Sequence, residues 1–66
     1  MRIMMGGVFM KRRKLVQLFV RKGWYLEREG GNHEIWTNGA DFERIPRHKE
    51  VDEMLARALI KKWELK

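Results

Sequence analysis

The sequence predicts an α+β fold in which two helices cover one face of a three-stranded antiparallel sheet. An amphipathic helix pattern lies toward each end of the chain, and three short strand-like segments separated by Gly- and Asn-rich turns lie between them. Short connections between successive strands favour an antiparallel meander. Two helices with wide apolar stripes and one small sheet bury most of their apolar surface when both helices pack on the same sheet face.

The first helix is predicted over Lys11–Lys22, where Leu15, Leu18 and Phe19 recur on one face. Gly23 follows as a C-terminal cap. The strands are predicted over Trp24–Arg28, His33–Thr37 and Phe42–Ile45, with turns at Gly30-Gly31 and Asn38-Gly39 and a stop at Pro46.

The second helix is predicted over Val51–Trp63, with acidic residues at its start and Lys61 and Lys62 near its end, as the helix dipole favours. Its main apolar stripe is expected to consist of Val51, Met54, Leu55, Ala58 and Leu59, widened by Ala56, Ile60 and Trp63.

Length and composition indicate one small domain, expected over residues 10–66, after a disordered leader at residues 1–9. The chain has 66 residues and no cysteine, which excludes disulfides and zinc sites built on cysteine, and we expect no metal and no cofactor. No apolar run is long enough for a membrane span. The basic cluster follows the apolar N-terminal run, the reverse of a secretory signal, so a cytoplasmic protein is expected.

The chain is strongly basic, with 15 Lys and Arg against nine Asp and Glu and a formal net charge of +6. Such an excess attracts polyanions, most commonly nucleic acid through phosphate neutralisation. An anionic membrane surface and an acidic protein partner are the alternatives.

His33 is the candidate catalytic residue, because it follows a glycine turn and begins an apolar strand. An imidazole can accept and donate a proton near neutral pH. RNA carries its own nucleophile in the ribose 2′-hydroxyl, so a general base and a nearby cation suffice for its cleavage. A surface histidine without a catalytic role is the alternative.

Candidate phosphate-binding residues surround the His33 strand. Arg28 and Arg44 lie on the two flanking strands, within cross-strand reach in a meander. Arg47 and His48 follow the third strand, and we interpret His48 as a residue that positions substrate. The run from Lys11 to Lys14 is either a phosphate-binding stripe or a solvated helix start.

Strand alternation places His33 and Ile35 on one sheet face and Glu34 and Trp36 on the other. If Trp36 packs under the helices, His33 faces the uncovered side of the sheet. The aromatic residues are expected to be core, with base stacking on Tyr25 or Trp36 as the alternative.

The chain resembles the HicA family of bacterial toxins over roughly Met10 to Leu65. The resemblance consists of Lys14-Leu15-Val16-Gln17-Leu18 with Lys22-Gly23-Trp24, of Gly31-Asn32-His33 before a strand, of Arg44-Ile45-Pro46-Arg47-His48, and of a final helix containing Leu55 to Lys62. It implies an αβββα fold similar to double-stranded-RNA-binding domains. It also implies a type II toxin that cleaves mRNA, with His33 at the position of the catalytic histidine, and a HicB antitoxin that covers the histidine face.

We therefore predict a metal-independent endoribonuclease with His33 as general acid/base and Arg28, Asn32, Arg44, Arg47 and His48 as RNA-binding residues. His48 or water is the candidate to protonate the leaving oxygen. One alternative is a non-catalytic RNA-binding module. The other is a protein-interaction domain that uses Val16, Val20, Ile60 and Trp63.

Overall fold

The computed structural model describes residues 9–66, and it confirms two helices and a three-stranded antiparallel sheet of α+β class. The expected order is present, with two further short strands that the sequence did not predict. In chain order the elements are β1 (Phe9–Lys11), α1 (Arg12–Arg21), β2 (Tyr25–Glu29), β3 (His33–Thr37), β4 (Phe42–Pro46), β5 (Glu50–Asp52) and α2 (Glu53–Lys62).

The main sheet has the strand order β2-β3-β4, so β3 is the central strand. The β3–β4 turn is fixed by side chains: Asn38 Oδ1 accepts the backbone N–H groups of Ala40 and Asp41, and Thr37 Oγ1 accepts that of Gly39. Gly39 has a φ of 98°, a conformation that favours glycine. The Asn-Gly signal therefore marks a real hairpin connection.

The two unpredicted strands, β1 and β5, form a separate antiparallel ribbon. Met10 pairs with Val51 at its centre, and Val51 belongs to the core while Met10 packs against it. Phe9, which the sequence placed at the end of a leader, lies in β1; the rest of that segment, residues 1–8, lies outside the described residues.

The start of the second helix corrects the sequence prediction by two residues. Val51 lies in β5, and Asp52 is the N-cap of α2, where its Oδ1 accepts the N–H of Met54 at 2.9 Å. Asp at this position satisfies a free helix donor, which defines where the helix begins.

The core lies between the two helices and one face of the main sheet. Phe19 of α1 is fully buried and meets Trp24 edge-on with ring centroids 5.0 Å apart, and Trp24 meets Trp63 at 4.9 Å. The sheet contributes Trp36 and Ile45 to the same cluster. Both helices therefore cover one sheet face, as predicted.

The apolar stripe expected on α2 is partly wrong. Met54 is 80% exposed and Leu55 and Ala58 are also exposed, whereas Ala56 and Leu59 are buried. Ile60 and Trp63 pack against the core. The inward side of α2 and its C-cap thus combines Leu59 of the predicted stripe with the three residues predicted to widen it, Ala56, Ile60 and Trp63.

Candidate functional site

The candidate site lies on the side of the three-stranded sheet opposite the helices, which we call the open face. Trp36 is buried in the core, and its Nε1–H donates a hydrogen bond to Glu34. Both side chains therefore lie on the side of β3 that faces the helices. His33 and Ile35 alternate with them and therefore point to the open face. His33 is exposed, as expected for a strand residue on this face.

Backbone contacts hold His33 in place on both sides. It pairs with Pro46 of β4, and its carbonyl accepts the N–H of Gly30 at 2.9 Å across the β2–β3 turn. A Cβ added at Gly30 would lie 3.2 Å from that carbonyl, so this close approach suits glycine. The backbone of His33 is thus held by the central strand of the sheet and by the hydrogen-bonded β2–β3 turn.

Arg28 and Arg44 lie in one row on the open face, because each pairs with Ile35 from a different side. Directly paired residues share a sheet face, and Ile35 is on the same face as His33. Both arginines are exposed and take part in no ion pair within residues 9–66. The structure therefore brings His33, Arg28 and Arg44 together on one surface.

Arg47 lies at the edge of this surface and is tied to the turn before His33. Its N–H donates to the Asn32 carbonyl at 3.1 Å, and its Nη1 lies 3.4 and 3.5 Å from the carbonyl oxygens of Gly31 and Gly30. Its Nη2 is 3.9 Å from Glu29. Arg47 and the Asn32 carbonyl therefore help to shape this turn. Both residues are also exposed to solvent.

His48 lies apart from the Arg28–Arg44 row. It is exposed in the connection between β4 and β5 and lines a surface groove beside β1, together with Lys11, Arg13 and Lys49. Within the basic run, Lys11, Arg13 and Lys14 are exposed while Arg12 is half-buried. The run therefore does not act as a single stripe.

Arg12 and Glu34 form a contact that the sequence does not predict. The Arg12 guanidinium donates through Nη2 to Glu34 Oε1 and through Nε to the Pro46 carbonyl, the latter at 2.8 Å. Trp36 Nε1 donates to the same Glu34 oxygen at 3.0 Å. This network joins the start of α1 to Glu34, the residue after His33, and to Pro46, the residue that pairs with His33.

A second glutamate on the helix-facing side, Glu43, is satisfied in the same way. Its Oε1 accepts Trp63 Nε1 at 2.8 Å and Lys62 Nζ at 3.2 Å. The carboxylates of Glu34 and Glu43 are therefore each paired with a cation on the helix-facing side of the sheet. They do not lie on the open face, which carries Arg28 and Arg44.

Three of the four residues that the sequence offered as a protein-interaction surface are half-buried. Val16, Ile60 and Trp63 pack against the core, and Val20 is the member of that group that is exposed.

We expect the variant Glu34→Ala to lower the free energy of unfolding by about 2 kcal/mol, because it leaves the Arg12 guanidinium and the Trp36 N–H without their shared acceptor in a mostly buried position. Urea denaturation followed by circular dichroism measures this loss. Glu29→Ala is the control, since the Glu29 carboxylate is exposed and should change stability by less than about 0.5 kcal/mol. Equal effects of the two variants would contradict a stabilising role for the network.

Comparison with known proteins gave a match to one family model. A family model described as the HicA toxin of bacterial toxin-antitoxin matches residues 12–65, from the first residue of α1 to just beyond α2. Neither the curated proteins nor the solved structures gave a significant match. Within residues 9–66, no helix is long and apolar enough to cross a membrane, and no group of three or more His, Asp or Glu side chains is placed to hold a metal ion.

Proposed function

The chain belongs to the HicA toxin family of bacterial toxin–antitoxin systems, and we propose that it acts as an endoribonuclease that cleaves mRNA in the cytoplasm with His33 as general acid/base. The observation that carries the proposal is the position of His33, exposed on the open face beside Arg28 and Arg44. Membership of a toxin–antitoxin family implies an antitoxin partner, and we infer a HicB-type antitoxin that covers this face.

In the proposed reaction, the neutral imidazole of His33 takes the proton of a ribose 2′-hydroxyl. The 2′-oxygen then attacks the adjacent phosphorus, forming a new O–P bond while the bond from phosphorus to the 5′-oxygen breaks. His48 or a water molecule protonates the leaving 5′-oxygen. The products are one fragment with a 2′,3′-cyclic phosphate and one with a 5′-hydroxyl.

Arg28 and Arg44 supply the positive charge that this reaction needs. The attacked phosphate gains negative charge as the 2′-oxygen bonds to it, and guanidinium groups bind phosphate oxygens in a bidentate manner. The two arginines lie diagonally to His33 on the neighbouring strands, at about 7–8 Å between backbones, which long side chains can span.

Arg47, Asn32 and the glycines hold the turn before His33, and we assign Arg47 and Asn32 a further contact with RNA at the edge of the face. Arg47 keeps about half of its side chain exposed, so its guanidinium can reach a phosphate while it holds the turn. His48 extends this edge toward the groove beside β1.

The chemistry of the product ends tests the proposal. We expect the purified protein to cleave a single-stranded RNA with EDTA present and to leave 2′,3′-cyclic phosphate and 5′-hydroxyl ends, which mass spectrometry identifies. A 2′-deoxy nucleotide on the 5′ side of a mapped cleavage point should block cleavage there, because the nucleophile is missing. Products with 5′-phosphate ends, or binding without any cleavage, would contradict the mechanism, and the latter would favour the non-catalytic RNA-binding module.

A further inference from the structure

Two exposed aromatic side chains lie on the open face and have no role in the core. Tyr25 of β2 and Phe42 of β4 are 53% and 60% exposed, and each pairs with Thr37 of β3. Thr37 has the same alternation as His33 and Ile35, so all three point to this side of the sheet. The Thr37 side chain itself is only 2% exposed and bonds within the β3–β4 turn, so the two rings, and not Thr37, present the surface here. The aromatic rings therefore flank β3 on the surface that carries the candidate catalytic residue.

The open face is thus arranged in successive rows along β3. His33 lies at one end of the strand, the Arg28–Ile35–Arg44 row follows two residues later, and the Tyr25–Thr37–Phe42 row follows after two more. At about 3.3 Å per residue, adjacent rows are about 7 Å apart and the aromatic row is about 13 Å from His33. Across the sheet, the two aromatic residues are about 10 Å apart, or two strand spacings.

We propose that Tyr25 and Phe42 form a stacking platform for the bases of single-stranded RNA, with the strand lying along β3 so that its scissile phosphate lies between His33 and the two arginines, Arg28 and Arg44. This inference rests on the proposed function, because it identifies the substrate of the same site. Single-stranded nucleic acid is bound by this combination of aromatic faces for the bases and cations for the backbone.

A single strand fits this face better than a duplex does. Stacking on a side chain requires a base whose face is uncovered, and bases in an A-form helix are stacked on one another within it. The positive charge lies between the aromatic row and His33, so a strand that reaches from the rings to the histidine must pass both arginines.

We expect alanine in place of either aromatic residue to weaken the binding of single-stranded RNA. Tyr25→Ala and Phe42→Ala should each weaken the binding of a single-stranded 2′-O-methyl RNA by about 5- to 150-fold, the usual range for losing one stacked base. The 2′-O-methyl group blocks the nucleophile, so fluorescence anisotropy measures binding without cleavage. Tyr25→Phe and Phe42→Tyr keep a ring at each position and should bind nearly as well as the unaltered protein.

A strand of abasic ribose phosphate distinguishes stacking from charge. It keeps every phosphate but has no base to stack, so the alanine variants should bind it as well as the unaltered protein does. Met54→Ala is the control for loss of an exposed apolar side chain, since Met54 is 80% exposed on α2, away from the open face. It should leave both affinities unchanged.

Two outcomes would overturn the platform. One is an alanine variant that binds the base-containing RNA as tightly as the unaltered protein does. This outcome includes a variant that keeps its RNA affinity and loses only its affinity for a protein antitoxin. The other is equal weakening toward both strands, which would indicate a general defect in the face. Neither outcome depends on cleavage, whereas the proposed function fails if the unaltered protein binds RNA and leaves it intact.

Discussion

Replacing His33 by alanine is expected to slow RNA cleavage by about 100-fold to 10,000-fold, the usual contribution of a general acid/base. The side chain is exposed at the start of β3, so its loss should change stability by no more than about 0.5 kcal/mol. Single-turnover cleavage of a labelled RNA with EDTA present measures the rate. Circular dichroism and binding of 2′-O-methyl RNA show whether the variant keeps its fold and its affinity.

His33→Gln sharpens this experiment, because glutamine keeps a polar side chain at the position but cannot exchange a proton near neutral pH. We expect it to be as slow as the alanine variant. Cleavage at the rate of the unaltered protein by either variant would show that another group performs the proton transfer.

His48→Ala separates the two candidates for protonating the leaving oxygen. If His48 supplies that proton, its variant should lose activity on an ordinary RNA and regain much of it on a substrate whose 5′-oxygen is replaced by sulfur, a leaving atom that needs no protonation. If water supplies the proton, the variant should cleave both substrates like the unaltered protein. His33→Ala should remain slow on both, because the base is still missing.

The part of the site that the sequence predicted is the part that follows from local patterns. Strand alternation and short turns fix the neighbours in a meander, so Arg28 and Arg44 were predicted beside the His33 strand, and the register confirms that both pair with Ile35. The burial of Trp36 then decides the face. Alternation alone gave two possible faces, since Ile35 was as suitable for the core as Trp36.

The ribbon of β1 and β5 could not be predicted in this way. Each strand has three residues, too few to show a period, and their partners lie at opposite ends of the chain. The pairing also explains the error at the start of α2, because a residue engaged in β5 is no longer available to the helix. Val51 was apolar at a suitable helical position, but its burial arises from the ribbon.

The Arg12–Glu34 contact illustrates a different limit. Alternation placed Glu34 on the same sheet face as Trp36, and the burial of Trp36 shows that this face is the one toward the helices. A carboxylate there requires a partner because burying an unpaired charge is costly. Four consecutive cations, Lys11 to Lys14, were available. The exact start and rotation of α1 select Arg12 among them, and these depend on tertiary packing.

The expected effect on stability is largest at Phe19, where alanine should lower the free energy of unfolding by about 3–5 kcal/mol. Phe19 is fully buried, and its ring packs edge-on against Trp24, which in turn contacts Trp63 beyond α2. Removing the ring leaves a cavity between α1 and these two indoles. Small domains have little stability to lose, so we expect a large unfolded fraction at 37 °C, measured by urea denaturation and thermal melting.

Phe42→Ala is the matched control, because it removes the same ring from a position that is 60% exposed and should cost less than about 1 kcal/mol. Similar losses in the two variants would contradict the core assigned to α1 and Trp24. Phe19→Ala should also lose RNA cleavage, but through unfolding, whereas His33→Ala should be folded and inactive. The variants Phe19→Ala, Phe42→Ala and His33→Ala thus test three separate assignments: Phe19 to the core, Phe42 to base stacking and His33 to proton transfer.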